Sequence, residues 1–370
     1  MHPEFPHQDI IHLNHAAVGP WPRRTADAVS AFAHENLVQG SQKYASWMKV
    51  QQQARELGRR LIGATAADDI AFVKNTSEAL SMVAFGLDWP RHANVVIPKG
   101  EFPSNRIVWL MAAERFGLEV REVALDSHPS PEVALLAACD RNTALLSCSA
   151  VQFASGLRLD IERLGTDLRR RDILFCVDAI QHLGALPFDA HAVHADFVMA
   201  DAHKWLLAPE GIALFYVRPE IRDHLRLQEF GWHMLADSGD FITYELTPAA
   251  GARRFEPGSP NLLGIHAVHA SLSLLLDTGL ERIAQQIDAH WQHLYEGLTV
   301  LGCRVLTPVD RHAGILTFFP AHGSAELLFQ HLQEMGVLCA QRGGGIRFSP
   351  HFYLSPTALD EALARVADHC

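Results

Sequence analysis

Cysteine is sparse in this chain and carries no pattern. Six are scattered along 370 residues (Cys139, Cys148, Cys176, Cys303, Cys339 and Cys370), with no Cys-x-x-Cys pair and no spacing of a disulfide framework. They read as buried thiols of a reducing compartment, and the expected location is the cytoplasm. No apolar run approaches the ~20 residues that a bilayer-spanning helix needs. The opening MHPEFPHQDI has no apolar core that could serve as a secretory signal. Positive charge is short as well: 31 Lys and Arg stand against 42 Asp and Glu, a net charge of −11 with histidine neutral. That excludes the basic face required by nucleic acid or an anionic membrane surface, and neither is expected as a partner. A glycine fingerprint is missing too. The strand-like IAFV at 70–73 runs into KNTSEAL without one glycine, which excludes a nicotinamide dinucleotide site. The 22 histidines invite a metal reading, but the nearest candidate, His191-Ala-Val-His194, has no clustered third ligand, and no metal site is expected.

What is present is globular: 48% of residues are hydrophobic and 20% charged. The length favours two domains. Short apolar runs recur at 70–73, 94–98, 118–125, 143–151, 173–178, 196–200 and 212–217, several separated by amphipathic stretches such as SEALSMVAFGL and SNRIVWLMAAERFG. Runs buried on both faces and interleaved with helices predict an α/β domain with a mostly parallel sheet, whose ligands sit beyond the carboxyl ends of the strands. After about residue 255 long helical patterns lead into a strand-like GILTFFP, a helical ELLFQHLQEMG and a strand pair ending at GIRFSPHFY, a smaller α+β domain. The expected division is an N-terminal arm over 1–20, a large α/β domain over 21–255 and a small C-terminal α+β domain over 256–370.

Chemistry-bearing residues stand at the strand ends. ILFCVD closes on Asp178 with Gln181 three residues on, and DFVMADAHK closes on Lys204. Asp178 could be a helix N-cap with Ala179 as the first helical residue, and Lys204 could be a surface charge at a turn. A strand–helix–strand crossover would instead bring both to one sheet edge. An amine and an acid there, beside a phosphate site, are what pyridoxal 5'-phosphate requires: a lysine for the Schiff base and an acid to keep the pyridine nitrogen protonated. Asn75, Thr76 and Ser77 lie where a strand turns into a helix, a position suited both to a phosphate and to a capping box with Glu78.

The order of motifs resembles the class V aminotransferase, cysteine-desulfurase-like branch of fold-type I pyridoxal phosphate enzymes. LNHAAVGPWP resembles its arm motif, NTSEAL its phosphate turn and EFPSN the segment that stacks a ring on the cofactor. VDAIQ, AHKWLLAPEGIALFYV, RFEPGSPN and RFSPHFY follow in family order. The resemblance implies the fold-type I architecture, a large mostly parallel sheet domain with a smaller α+β domain, and a homodimer with shared active sites. It makes Lys204 the Schiff-base lysine and the base that moves the substrate α-proton, Asp178 the partner of the pyridine nitrogen, and Gln181 the contact of the phenolic oxygen. Phe102 would stack on the ring where desulfurases use histidine. Asn75, Thr76, Ser77 and His203 would hold the phosphate, with Ser259 reaching a phosphate in the partner subunit. Gln152 would lie near cofactor and substrate carboxylate. Arg347 would clamp that carboxylate, with Asn14 and His15 of the arm also on the substrate side.

Some positions depart from the pattern. Asp201 stands where desulfurases often carry a hydroxyl residue, and is expected to orient His203 or cap a helix. Only GGGI separates Arg342-Gly343 from Arg347, where desulfurases place a catalytic cysteine on a mobile loop. The glycines are expected to form a tight turn that brings Arg347 to the site, one of Arg253 and Arg254 is expected to face it, and Cys339 is expected in a buried strand. The resulting expectation is an enzyme acting on the α-amino group of an amino acid or related small-molecule amine, by transamination or C–S/β-elimination. Epimerisation is the alternative, and a persulfide-forming cysteine desulfurase is disfavoured. From another class, a protein that binds pyridoxal phosphate without turnover is the rival reading.

Overall fold

The computed structural model describes residues 2–6, 10–242 and 245–369. Cys370 and His7 therefore lie outside the described residues. The arm contributes β1 (Ile11–His12) and leads into two long helices, α1 (Arg23–Gln39) and α2 (Tyr44–Ile62). Strand and helix then alternate: β2 (Ile70–Val73), α3 (Thr76–Gly86), β3 (Asn94–Pro98), α4 (Ser104–Phe116), β4 (Glu119–Val123), α5 (Pro131–Ala138), β5 (Thr143–Ser149), α6 (Ile161–Arg170) and β6 (Leu174–Asp178). Two more strands, β7 (Phe197–Asp201) and β8 (Ala213–Val217), complete a seven-stranded sheet of order β2-β8-β7-β6-β5-β3-β4. Its pairings are parallel except where β8 runs antiparallel to both β7 and β2. Each apolar run of the sequence falls on one of these strands. The central ones are buried on both faces because helices cover both sides of the sheet.

Helix α7 (Leu262–Thr278) packs against α1 and α2, and α8 (Leu280–Val300) continues beyond it. The smaller C-terminal α+β part follows: β9 (Arg304–Val305), β10 (Leu316–Phe319), α9 (Ala325–Glu334), β11 (Val337–Leu338), β12 (Ala340–Arg342), β13 (Gly345–Phe348) and α10 (Pro356–Ala367). Four of these strands form an antiparallel sheet, β12-β13-β10-β9. The arm joins this part, since β1 pairs in parallel with β11. Among the described residues no single helix is long and apolar enough to cross a membrane.

Two local expectations fail. No helix follows Asp178, so it caps none; residues 179–196 make turns, and the crossover between β6 and β7 is irregular chain. Asp178 instead accepts a hydrogen bond from the Ile180 amide at 3.0 Å, an aspartate-stabilised turn that does the local work a cap would do. Both ends still reach one sheet edge, because β6 and β7 are parallel neighbours.

Candidate active site

The carboxyl ends of β2, β6 and β7 meet at one edge of the large sheet, where a cleft of about 220 Å³ opens. Lys204 follows β7 and is only 7% exposed. Burial pushes its ammonium down to about 8, against the pull of Asp178 and with the help of Arg347. Asp178 is 2% exposed, and burial pushes its carboxyl up to about 6, although the Ile180 amide and Lys204 both act to lower it. An interior amine and an interior acid thus share a cleft, each displaced towards its neutral form.

The cleft's anion end is α3. Asn75 caps this helix through a hydrogen bond from the Glu78 amide at 2.9 Å, so the side chain of Asn75 serves the helix while Thr76 and Ser77 line the cleft. The Asp201 amide donates to Thr76 Oγ1 at 3.2 Å and ties the helix start to the end of β7. His203 Nδ1 lies 3.2 Å from Asp201 Oδ1, but off the hydrogen-bond direction, so both buried atoms are without a hydrogen-bond partner.

At the opposite end stands Arg347, 1% exposed, with Nη1 donating to the Phe153 carbonyl at 2.7 Å. Its Nε and Nη2 are buried without a hydrogen-bond partner. Burial, with Arg342 nearby, lowers this guanidinium to about 9, still charged at neutral pH. The hairpin that carries it turns through Gly343 and Gly344, whose φ of 59° and 81° suit a two-residue turn that glycine makes without strain. One wall is Phe102, 38% exposed, its ring edge-on to Phe153 and its centroid 5.4 Å from Lys204 Nζ.

The arm closes the back. Gln181 Nε2 donates to the Ala16 carbonyl at 2.9 Å, and Trp205 Nε1 donates to Gln181 Oε1 at 2.8 Å. The Gly19 amide donates to the His203 carbonyl at 2.7 Å, and a Cβ at Gly19 would sit 2.4 Å from the Lys204 carbonyl oxygen. Only glycine lets the arm lie this close to the lysine.

The cleft therefore brings together Thr76, Ser77, Phe102, Asp178, Gln181, His203, Lys204 and Arg347. The other expected residues lie elsewhere. His15 is buried between the Ser349 carbonyl (2.8 Å) and the Tyr353 hydroxyl (2.9 Å), and Asn14 bridges to Ser349. The Gln152 side-chain oxygen accepts from the amides of Ala154 (2.7 Å) and Ser155 (3.0 Å), within its own loop. Ser259 lies in a separate depression with Lys74, Glu78 and Asn261. Neither Arg253 nor Arg254 faces Lys204: both bond to backbone carbonyls of the 233–249 segment. Cys339 is buried between β11 and β12, and burial pushes its thiol up to about 12. Among the described residues no cysteine lines the cleft.

Sequence reasoning missed Arg342, Ser104 and Phe153 in the lining. Arg342 was legible in principle. A turn centred on Gly343-Gly344 pairs it with Gly345, which puts it on the same hairpin face as Arg347.

These residues fit pyridoxal phosphate. The orphaned polar atoms of His203 and Arg347 are what an anionic, hydrogen-bonding ligand would satisfy. The helix start with Thr76, Ser77 and His203 would take its phosphate, Asp178 its ring nitrogen, Lys204 its aldehyde and Phe102 its ring face.

Comparison with known proteins agrees along the chain. Residues 11–352 match the aminotransferase class-V family. A protein called "Probable cysteine desulfurase" from Pyrococcus abyssi is 27% identical over 94% of this chain and 91% of its own length. The apo structure of a cysteine desulfurase from Thermococcus onnurineus NA1 superposes with a TM-score of 0.86 at 24% identity, covering 97% of this chain and 94% of that one. A cystine C–S lyase bound to its reaction product, cysteine persulfide, superposes with a TM-score of 0.90 at 21% identity, covering 97% and 98%. The curated relatives overturn the expectation that set cysteine desulfurase aside. That expectation rested on one missing loop, whereas the likeness to proteins of that name extends over nearly the whole chain. The missing loop leaves Lys204, Asp178 and Arg347 together in the cleft.

Proposed function

Because the chain belongs to the aminotransferase class-V family, whose pyridoxal phosphate chemistry its cleft is built to hold, we propose that it is a desulfurase acting on L-cysteine. The observation that carries this reading is the cleft itself: a buried amine, a buried acid and a buried, half-unpartnered guanidinium on three sides of one space. The desulfurase relatives supply the substrate class.

The protein is a pyridoxal phosphate-dependent enzyme. When bound, the cofactor supplies an aldehyde that captures amines and a protonated ring that accepts electrons from the substrate. Arg347 Nε and Nη2 would bind the substrate carboxylate as a fork, which orients the Cα–H bond. Lys204, with its ammonium lowered to about 8, has a substantial neutral fraction at mildly alkaline pH and can take the proton at Cα and return one to carbon. Asp178 would hold the proton at the ring nitrogen, and Phe102 would cover one face of the ring.

Sulfur then leaves Cβ for a thiolate that comes from outside the cleft. The C–S bond breaks, an S–S bond forms, and L-cysteine plus thiolate give alanine plus persulfide, with no other oxidant or reductant. A cytoplasmic location, in keeping with cysteines that show no disulfide-framework spacing, belongs to the same proposal. So does a homodimer, in which the depression around Ser259 and the exposed Ile107, Leu110 and Met111 of α4 would face a second copy.

The test is to offer L-cysteine and unrelated amino acids to the reconstituted enzyme with increasing concentrations of a thiol. Alanine and sulfane sulfur should form in equal amounts from L-cysteine, at a rate that rises and saturates with the thiol. Formation of a keto acid from other amino acids, with no alanine from L-cysteine, would overturn the reading.

A further inference from the structure

Behind the cleft, outside its lining, a second acid is buried. Glu101 is 6% exposed and directly precedes Phe102. Its Oε1 accepts from the Ser149 amide at 2.6 Å and its Oε2 from the Ser149 hydroxyl at 2.5 Å. Ser149 ends β5, and its register partner across the parallel pairing is Asp178, which ends β6.

Among the described residues this carboxyl makes no ion pair, its partners being the Ser149 amide and hydroxyl. Outside the cleft, the buried acids Asp69, Glu132, Asp196 and Glu256 each meet an arginine, whereas Glu101 meets Ser149 and, on α4, Asn105. Asp178 and Cys176 on β6 and Cys148 on β5 lie near enough to act on it electrostatically, and any charge on these three is negative. A buried carboxyl costs stability unless a cation pairs with it.

We propose that Glu101 is a positioning residue that acts on the cofactor through Asp178: held by Ser149 behind the strand ends, its negative charge strengthens the grip of Asp178 on the ring-nitrogen proton. Burial, reinforced by Asp178, pushes the Glu101 carboxyl up to about 7, so its charge appears within the working pH range. As Glu101 ionises, proton affinity rises at Asp178 and at the ring nitrogen it faces, and the ring stays protonated to higher pH. The second acid thus keeps the electron-accepting form of the cofactor in place where Lys204 becomes deprotonated.

The experiment uses the holoenzyme without substrate, so its outcome is separate from the sulfur reading. The visible absorption of the bound cofactor and the NMR resonance of its ring-nitrogen proton are followed from pH 5.5 to 9.5 in wild type and Glu101→Gln. The variant should lose that proton at a pH lower by about one unit, the size of a single nearby charge. With L-cysteine its kcat should fall about tenfold while KM stays within twofold. The apoprotein gives a readout free of the cofactor. A carboxyl whose folded pKa is raised makes the fold less stable as pH rises from its unfolded value to about 7, and Glu101→Gln should flatten that decline. Should Glu101→Gln not fold, Ser149→Ala serves: losing the hydroxyl donor lifts the Glu101 pKa and should move the ring-proton loss in the same direction. Titrations that superimpose on wild type would overturn the proposal and leave Glu101 as an anchor for Phe102.

Discussion

The chain buries charge in two places with opposite outcomes. Under β2, Glu256 accepts hydrogen bonds from Arg55 Nη2 (2.6 Å), Gln51 Nε2 (3.2 Å) and the Phe72 amide (2.8 Å), and Arg55 also reaches the Ile70 carbonyl. Every charge there has a partner, and the cluster ties α2 to the sheet edge. In the cleft, Lys204, Asp178 and Arg347 are buried too, yet Arg347 has two unpartnered nitrogens and Asp178 has one hydrogen bond from a neighbouring amide. Paired burial builds the fold; burial left open by the protein marks where another molecule completes the pairing.

That contrast breaks most visibly at the lysine. Lys204→Ala should abolish the visible band of bound cofactor and lower turnover by at least about 10³-fold, read by absorbance and alanine release. Arg347→Gln should lower kcat/KM for L-cysteine about 10²-fold, mainly through KM, because a charged hydrogen bond to the carboxylate is worth about 2–3 kcal/mol. At the other cluster, Glu256→Gln should leave the Arg55 charge buried and unpaired. Its effect should appear as a loss of about 3 kcal/mol in chemical denaturation.

The smallest effect runs the other way. A lysine whose folded pKa is depressed to about 8 destabilises the apoprotein at neutral pH, and the cost fades as pH rises from about 8 towards the unfolded value near 10.5. Lys204→Met should therefore raise apoprotein stability at pH 7 by about 2 kcal/mol, a gain that shrinks by pH 10. If Lys204→Met and Glu256→Gln shifted stability in the same direction, the distinction between the two clusters would fail.

Much of this was visible in the chain before the coordinates. The seven apolar runs each became a strand of the large sheet, because strands buried on both faces must be apolar throughout. Asp178 and Lys204 stood out as charges ending such runs. What was hidden depended on pairing between distant segments. Nothing local shows that the Gln152 oxygen turns back onto its own loop amides, or that Glu101 meets Ser149 across 48 positions. Likewise, Asp178 was followed by no helix, since the turn it makes with Ile180 satisfies it locally. Arg342 was overlooked although its place opposite Gly345 follows from the turn residues alone. The motif reading also overweighted one absent loop against a likeness that runs the length of the chain.

The most direct test of the central claim, that Lys204 is the interior amine on which the chemistry turns, is to reduce the reconstituted protein with borohydride and map the pyridoxyl mark by peptide mass spectrometry. The mark should fall on Lys204, and L-cysteine added before reduction should protect that residue. A mark on Lys74 or Lys99, or on no lysine, would contradict the account and return Lys204 to a structural role.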